Sequence, residues 1–312
     1  MRVAVLITTF ILLMPPGPAW AWWDEGHMQI AYLAYKRLDP AVRDKADALL
    51  RLNPDYPSWT AGAPDDATAR RNAFIHAATW PDDIKLKPDY GDDRITDPAA
   101  GQITGYADHH RHAFWHFRDT LYSPDGTALP PPDPVDAVTQ LKQMIALLPA
   151  SSPASDDLRS YSLVWTLHLV GDLHQPLHAV ARYTAAIGGG DRGGNEEMVI
   201  PATGEVIALH AYWDRLFGGF SSPFGAVFDA DERGGLGAVA PNAAEAAIAD
   251  PEFWARESFE LARRFAYAPP VGDGPSAVEL TRDYETNARN IARSRAALAA
   301  ARLANLLDKA LK

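Results

Sequence analysis

Ser160 to Leu173 reads as an apolar helix ending near Pro176, yet it carries His168 and Asp172. Leu167, Leu169 and Val170 around them predict that the helix is buried. At i and i+4 the imidazole and the carboxylate share one helix face. Neither group can leave water without a proton, a partner or a metal ion. Any fold for this chain must therefore bring polar or metal-binding partners into its own core.

A second pair, His210 and Asp214 in HAYWD, repeats the spacing on another helical segment, and His178 closes QPLH just after the first helix. Each pair can present ligands to one ion, and none fills a tetrahedral shell alone. The chain has no cysteine, so neither disulfides nor thiolates are available. With ten histidines and 40 acidic residues, a metal site must be imidazole and carboxylate, which suits zinc. One HxxxD is weak evidence. Two, with QPLH, WPD at Trp80 to Asp82 and WHFRD at Trp115 to Asp119, make a stronger set.

Helical periodicity dominates elsewhere. Asp24 to Lys36, Pro40 to Leu52, Ala208 to Phe217, Asp250 to Ala266 and Thr281 to Leu311 are helical candidates. Glu197 to Ile200 and Glu205 to Ala208, around Thr203-Gly204, suit a small hairpin. No interdomain linker interrupts the chain. The expected fold is mostly α: a single α-helical domain with long loops and at most a small β-hairpin. The long loops are Lys85 to Ala107 and Arg182 to Ile207.

Residues 1–21 read as an export signal. Arg2 is followed by an apolar run from Val3 to Met14, a Pro-Pro-Gly-Pro break, and Ala19-Trp20-Ala21 with small residues at −3 and −1. The run is too short to span a bilayer. Gly17-Pro18-Ala19 also fits a peptidase, so these rules leave two cleavage points. The expected location is secreted or periplasmic. Formal charge is −11, and it becomes −12 when Arg2 leaves. So acidic a chain argues against a sequence-reading DNA-binding module, although divalent ions held by its carboxylates would offset part of the charge.

Taken together, Trp22 with His27, WPD, WHFRD, HLVGDLHQPLH at His168 to His178, DRGGN at Asp191 to Asn195 and LHAYWD at Leu209 to Asp214 resemble the zinc-dependent single-strand nucleases and 3′-nucleotidases of fungi, plants and bacteria. More distantly they resemble the bacterial zinc phospholipases C, which share the fold. The resemblance implies three Zn2+ ions. Asp82, His116, His168 and Asp172 would hold one. The free amine and carbonyl of Trp22, with His27 and the bridging Asp172, would hold a second. His178, His210 and Asp214 would hold a third. This use of the amine selects the cut after Ala21, leaving 22–312 as the nuclease domain. The resemblance also implies that Asp119 orients the attacking water, that Lys85 faces the phosphate, and that Phe117 stacks a base. The implied substrates are RNA, single-stranded DNA and 3′-nucleotides, with 5′-phosphorylated products. The alternative is a phospholipase C acting on lipid head groups. No basic amphipathic helix suggests stable membrane association, and no obligate protein partner is evident. The Asp82–His116 spacing exceeds that of compact fungal members, implying an insertion across Lys85 to Ala107.

Some neighbours compete with these residues. His109, His110 and His112 stand near His116 and read as a polar loop or a helix face. His174 lies about 200° round a helix from Asp172, so it should point away from the metals and form hydrogen bonds. Gly193-Gly194 lack the context of a phosphate loop and read as turn glycines near the cleft.

Overall fold

The structure is a computed structural model that describes residues 22–272, 274 and 276–312. The leader expected at 1–21, with its cut after Ala21, lies outside the described residues.

The helix bearing His168 and Asp172, α7 (Asp156–Asp172), is the axis of the fold. Ser155 starts it by accepting the Leu158 N–H at 3.2 Å, and Asp156 and Asp157 complement its N-terminal dipole. From Ser160 onward every residue of α7 is buried. Leu163, Val164, Leu167, Leu169 and Val170 are fully enclosed. Each contributes about 1.5–3 kcal/mol of transfer free energy, which offsets the cost of carrying an imidazole and a carboxylate inside.

Around α7 pack α1 (Asp24–Arg37), α2 (Pro40–Leu50), α4 (Asp66–Ala77), α5 (Trp80–Asp83), α6 (Ala137–Leu147) and α12 (Arg282–Ala310), with the one-turn α3 (Tyr56–Thr60) beside α4. Half of the buried residues of α12 are alanine, including Ala292, Ala296, Ala299, Ala300 and Ala304. Such small side chains let α12 lie close against α1 and α7. A second, smaller core forms around Trp213, Val199, Tyr267 and Tyr284. It underlies α8 (Leu209–Asp214), which carries the second HxxxD pair. Helices α9 (Pro223–Asp231), α10 (Ala243–Ala246) and α11 (Pro251–Leu261) complete the shell. Among the described residues no helix is long and apolar enough to cross a membrane.

Strands are few. β1 (Leu121–Tyr122) pairs in parallel with β2 (Ala181–Arg182). The expected hairpin is present: β3 (Met198–Ile200) pairs antiparallel with β4 (Ile207–Ala208), Val199 opposite Ile207. It does not stand alone, because β5 (Val278–Glu279) adds to β3 in parallel. That pairing joins residues some eighty positions apart, which local alternation cannot signal. The helix α4 has no counterpart among the sequence candidates, since its buried residues Ala73, Phe74, Ile75 and Ala77 cluster at one end instead of repeating along a face.

Candidate metal centre

Three groups of buried donors converge where α1, α5, α7 and α8 meet. They are His27 with Asp82 and His168, His116 with His168 and Asp172, and His178 with His210 and Asp214. Within each group the donor atoms lie within 4.8 Å of one another. The first two share His168 and form one continuous cluster. Eight side-chain ligands expected from the sequence are thus gathered at one place, although the grouping differs in detail: His27 sits with Asp82 as well as with Asp172.

Their hydrogen bonds decide which ring nitrogen each histidine offers. His168 donates Nδ1–H to the Ala78 carbonyl at 2.7 Å, His178 to the His116 carbonyl at 2.8 Å, and His210 to the Gly193 carbonyl at 2.7 Å. Each neutral ring then presents Nε2 as a lone pair. Yet the Nε2 atoms of His178 and His210 face each other at 3.1 Å, with Asp214 Oδ1 3.8 Å from one and Oδ2 3.5 Å from the other. Two lone pairs and a carboxylate aimed at one point repel unless a cation sits among them. In the larger cluster His168 Nε2 lies 2.9 Å from His116 Nδ1 and 3.2 Å from Asp172 Oδ2, while His27 Nε2 is 3.2 Å from Asp172 Oδ1. Both oxygens of Asp172, both ring nitrogens of His27, His116 Nε2 and Asp214 Oδ2 are buried without a hydrogen-bond partner in the protein. Orphaned donors of this kind, all imidazole or carboxylate, fit divalent zinc.

The electrostatics agree. Burial, with His168 nearby, pulls His27 down to about 4. Burial, with Lys85, pulls His116 down to about 3, and burial with His178 does the same to His210. Neutral imidazole is the form that binds metal. Burial works against ionised Asp172, but His168 and the other imidazoles around it hold its carboxyl well below the usual range. Asp172 and Asp82 in turn hold His168 above its ordinary value against burial, so in the absence of metal a proton on His168 takes the place of the cation and must leave before Nε2 can bind one. Burial and the carboxylates Asp82 and Asp172 push Asp214 well above its range, a repulsion that a bound cation would relieve. Asp24 is pushed up to about 6 by burial and Asp82, and Asp83 to about 7 by burial and Asp24. Three carboxyls crowd this rim.

The remaining expected residues fall around this centre. Trp22 is buried, its indole N–H donating to the Gly171 carbonyl at 3.1 Å and its ring meeting Phe217 edge-on at 5.1 Å. It therefore lies against the turn of α7 that carries Asp172. Lys85 is half-buried, its side chain largely enclosed, and it pairs with Asp82 Oδ1 at 2.6 Å. Asp119 stands outside the three donor groups, in a small cavity shared with Phe117, Pro132 and Asp133. Burial, Asp133 and Asp191 push its carboxyl up to about 7. Phe117 is half-buried and lines the same cavity.

The chain matches the S1/P1 Nuclease family model over residues 22–312. It belongs to the S1/P1 nuclease family. A search among curated proteins gives no match. As a family member it is a hydrolase acting on phosphodiester bonds of nucleic acid, and the three buried His/Asp groups can hold its metal.

Supporting residues surround this nuclease centre, and one of them, Gln175, carries no role in the sequence reading. Gln175 of QPLH donates to Asp214 Oδ1 at 2.7 Å and accepts the Leu177 N–H, which turns Asp214 Oδ2 toward His210. Gly193 of DRGGN has φ of 65°, and a Cβ there would meet the Leu177 carbonyl at 2.5 Å. That close approach brings its own carbonyl to His210. His174 points away as expected, donating to the Val170 carbonyl at 2.7 Å and accepting from buried Arg302 at 2.9 Å.

Proposed function

We propose that this chain is a trinuclear-zinc nuclease that hydrolyses RNA and single-stranded DNA to 5′-phosphorylated products and also acts as a 3′-nucleotidase. The observation that carries the metal reading is the approach of His178 Nε2 to His210 Nε2 at 3.1 Å, with both Nδ1–H groups already spent on carbonyls. The breadth of the family match supports the nuclease reading, and its start at Trp22 supports processing after Ala21. In this reading Asp82, His116, His168 and Asp172 hold one zinc, and His27, Asp172 and the amine and carbonyl of Trp22 hold another. His178, His210 and Asp214 hold the third.

Bound zinc would supply Lewis-acid polarisation of the phosphoryl oxygens and a water of lowered pKa. The protein's own groups do the rest. Once Asp82 is committed to metal, the Lys85 ammonium beside it faces the scissile phosphate and offsets its charge. Asp119, pushed up to about 7 by burial and by Asp133 and Asp191, exchanges a proton readily near neutral pH and orients the attacking water. Phe117 offers a flat face to an unpaired base, an interaction that tolerates any sequence. The buried setting keeps stray water from the ligands.

The test is a substrate panel on the zinc-loaded mature protein: single-stranded DNA, RNA, duplex DNA, 3′-AMP and phosphatidylcholine, with elemental analysis of the same sample. The expected result is close to three zincs per chain, cleavage of the unpaired polymers and release of phosphate from 3′-AMP. Fully active protein holding one zinc or none would overturn the trinuclear reading, and turnover of phosphatidylcholine alone would overturn the substrate.

A further inference from the structure

A buried histidine that the metal centre does not use lies just past the Lys85 to Ala107 loop implied as an insertion. His112 is 3% exposed. Its Nδ1 lies 2.6 Å from Asp93 Oδ2 and its Nε2 3.1 Å from Asp108 Oδ2, while its backbone N–H donates to Asp93 Oδ1 at 2.9 Å. A neutral imidazole has one N–H and one lone pair, so one of the two carboxylates would face a lone pair. Only the doubly protonated ring satisfies both.

We propose that His112 is a positioning residue: as an imidazolium gripped by Asp93 and Asp108, it fastens the 85–111 loop to α7 and sets the turn that presents His116 and Phe117. The role given to His116 and Phe117 rests on the nuclease reading above, whereas the grip itself does not.

The connections run through the loop to the metal helix. The His112 ring stacks on Trp115 with centroids 3.6 Å apart and planes within 3°, a geometry that favours a cationic ring. The Trp115 N–H donates to the His112 carbonyl at 2.8 Å, and its indole N–H to the Ala100 carbonyl at 2.9 Å. Trp115 then meets Trp165 of α7 edge-on at 5.1 Å, and His116 meets the same Trp165 at 5.3 Å. On the other side Asp108 also accepts from Thr104 at 2.9 Å, from the Tyr161 hydroxyl of α7 at 3.4 Å and from the His110 N–H at 3.0 Å. His112 and His109 both hold positive φ, 47° and 52°. A bulky residue keeps that conformation only where its surroundings over-determine it.

The groups facing His112 fix the sign of its pH dependence. From the loop come Asp93 and the His110 ring, 5.8 Å away, and from the turn before it comes Asp108. From α7 come the Tyr161 hydroxyl, through Asp108, and the uncharged Trp165. Phe114 and Trp115 close the remaining side. Burial works against the cation, but the hydrogen bonds to Asp108 and Asp93 hold His112 above its ordinary value, and both carboxyls are held below theirs. The stabilisation is therefore complete below about pH 6.5, the unfolded histidine value, and is lost as pH rises through the folded one.

The test uses the full mature protein with its metal. Ring 15N NMR of the wild type should find both His112 nitrogens protonated at pH 6.5 and a titration midpoint above about 6.5. His112→Gln, and separately Asp93→Asn with Asp108→Asn, should lose the stability increment that the wild type shows on going from pH 8.5 to 6.5. They should also release zinc to a chelator about 10-fold more readily, the scale of a lost supporting contact. A His112 ring that titrates below about 6.5 would refute the grip, even if the variants fail to fold. A folded His112→Gln protein with unchanged zinc retention and pH profile would refute the positioning role. If the wild type cleaves no nucleic acid, the nuclease reading fails, while the NMR and stability measurements still decide the grip.

Discussion

Gly171→Ala is the most searching substitution for the metal centre, because the change is one methyl group on a helix that should otherwise welcome it. Alanine is favoured over glycine in a helix interior by about 1 kcal/mol. Here, however, the new Cβ would lie 2.7 Å from His27 Nδ1 and 2.9 Å from its Cε1. The His27 ring lies flat over His168, 4.0 Å away, against the same face of α7. It can yield only by lifting off that face, by roughly 0.7 Å to reach ordinary contact, and overpacking of this kind costs about 1–3 kcal/mol. The movement also lengthens the 3.2 Å approach of His27 Nε2 to Asp172 Oδ1. Metal–ligand distances tolerate only about 0.2 Å, so the zinc held by His27 should be lost while the others stay. Elemental analysis should fall from about three zincs per chain to about two, with most activity lost. The chelated variant should unfold at the same denaturant concentration as chelated wild type or a somewhat lower one, since a clash of about 1–3 kcal/mol meets a propensity gain of about 1 kcal/mol. Three zincs and wild-type turnover in Gly171→Ala would show that His27 is not a ligand and that the tight helix face is packing alone.

Gln175→Leu removes the donor to Asp214 Oδ1 and leaves a buried carboxylate oxygen unpaired; the metal of the His178–His210–Asp214 group should bind about 10–100-fold more weakly, as chelator competition would measure. Zinc should be released to a chelator more readily as pH falls from about 7 to about 5. Metal binding requires His168, whose ring Asp172 and Asp82 hold above its ordinary value against burial, and Asp214, whose carboxyl burial pushes well above its range, to give up protons; chelator competition at the two pH values tests this, and equal retention at both would contradict the assignment of these two residues as ligands. A protein beginning Met-Trp22, with the methionine retained, should fold but lose one zinc and most turnover, because the amine would be displaced from the cluster. N-terminal mass spectrometry with zinc analysis compares it with exported, processed protein, and full activity in the extended form would remove Trp22 from the site.

The two imidazole–carboxylate pairs were legible in the sequence because their spacing is a local property, whereas His27, Asp82 and His116 entered only through the resemblance to the nuclease family. His168 with Asp172, and His210 with Asp214, each share a face on any helix that includes them, whatever that helix packs against. Several helices followed from the same periodicity, with ends good to a few residues: Asp24 to Lys36 became Asp24–Arg37, and Ser160 to Leu173 overlaps Asp156–Asp172, whereas α4, α6 and α9 had no counterpart among the candidates. The polar-loop reading of His109 to His112 was incomplete, since His109 and His110 are exposed but His112 is buried between two carboxylates.

By itself, then, the sequence determined that the chain is mostly helical and that His168 with Asp172, and His210 with Asp214, would each share a helix face, since both depend on residues a turn or two apart. Tertiary structure alone decided what meets across elements. It set Gln175 against Asp214, the Gly171 backbone under His27, the Lys85 ammonium on Asp82, and β5 beside β3. It also chose the tautomers, because a carbonyl from a distant segment must arrive to take each Nδ1–H before Nε2 is left as a ligand. Those contacts join positions up to 144 residues apart, as with His27 and Gly171. They arise from the packing of whole helices, whose outcome depends on every side chain between them and so leaves no periodic mark in the chain.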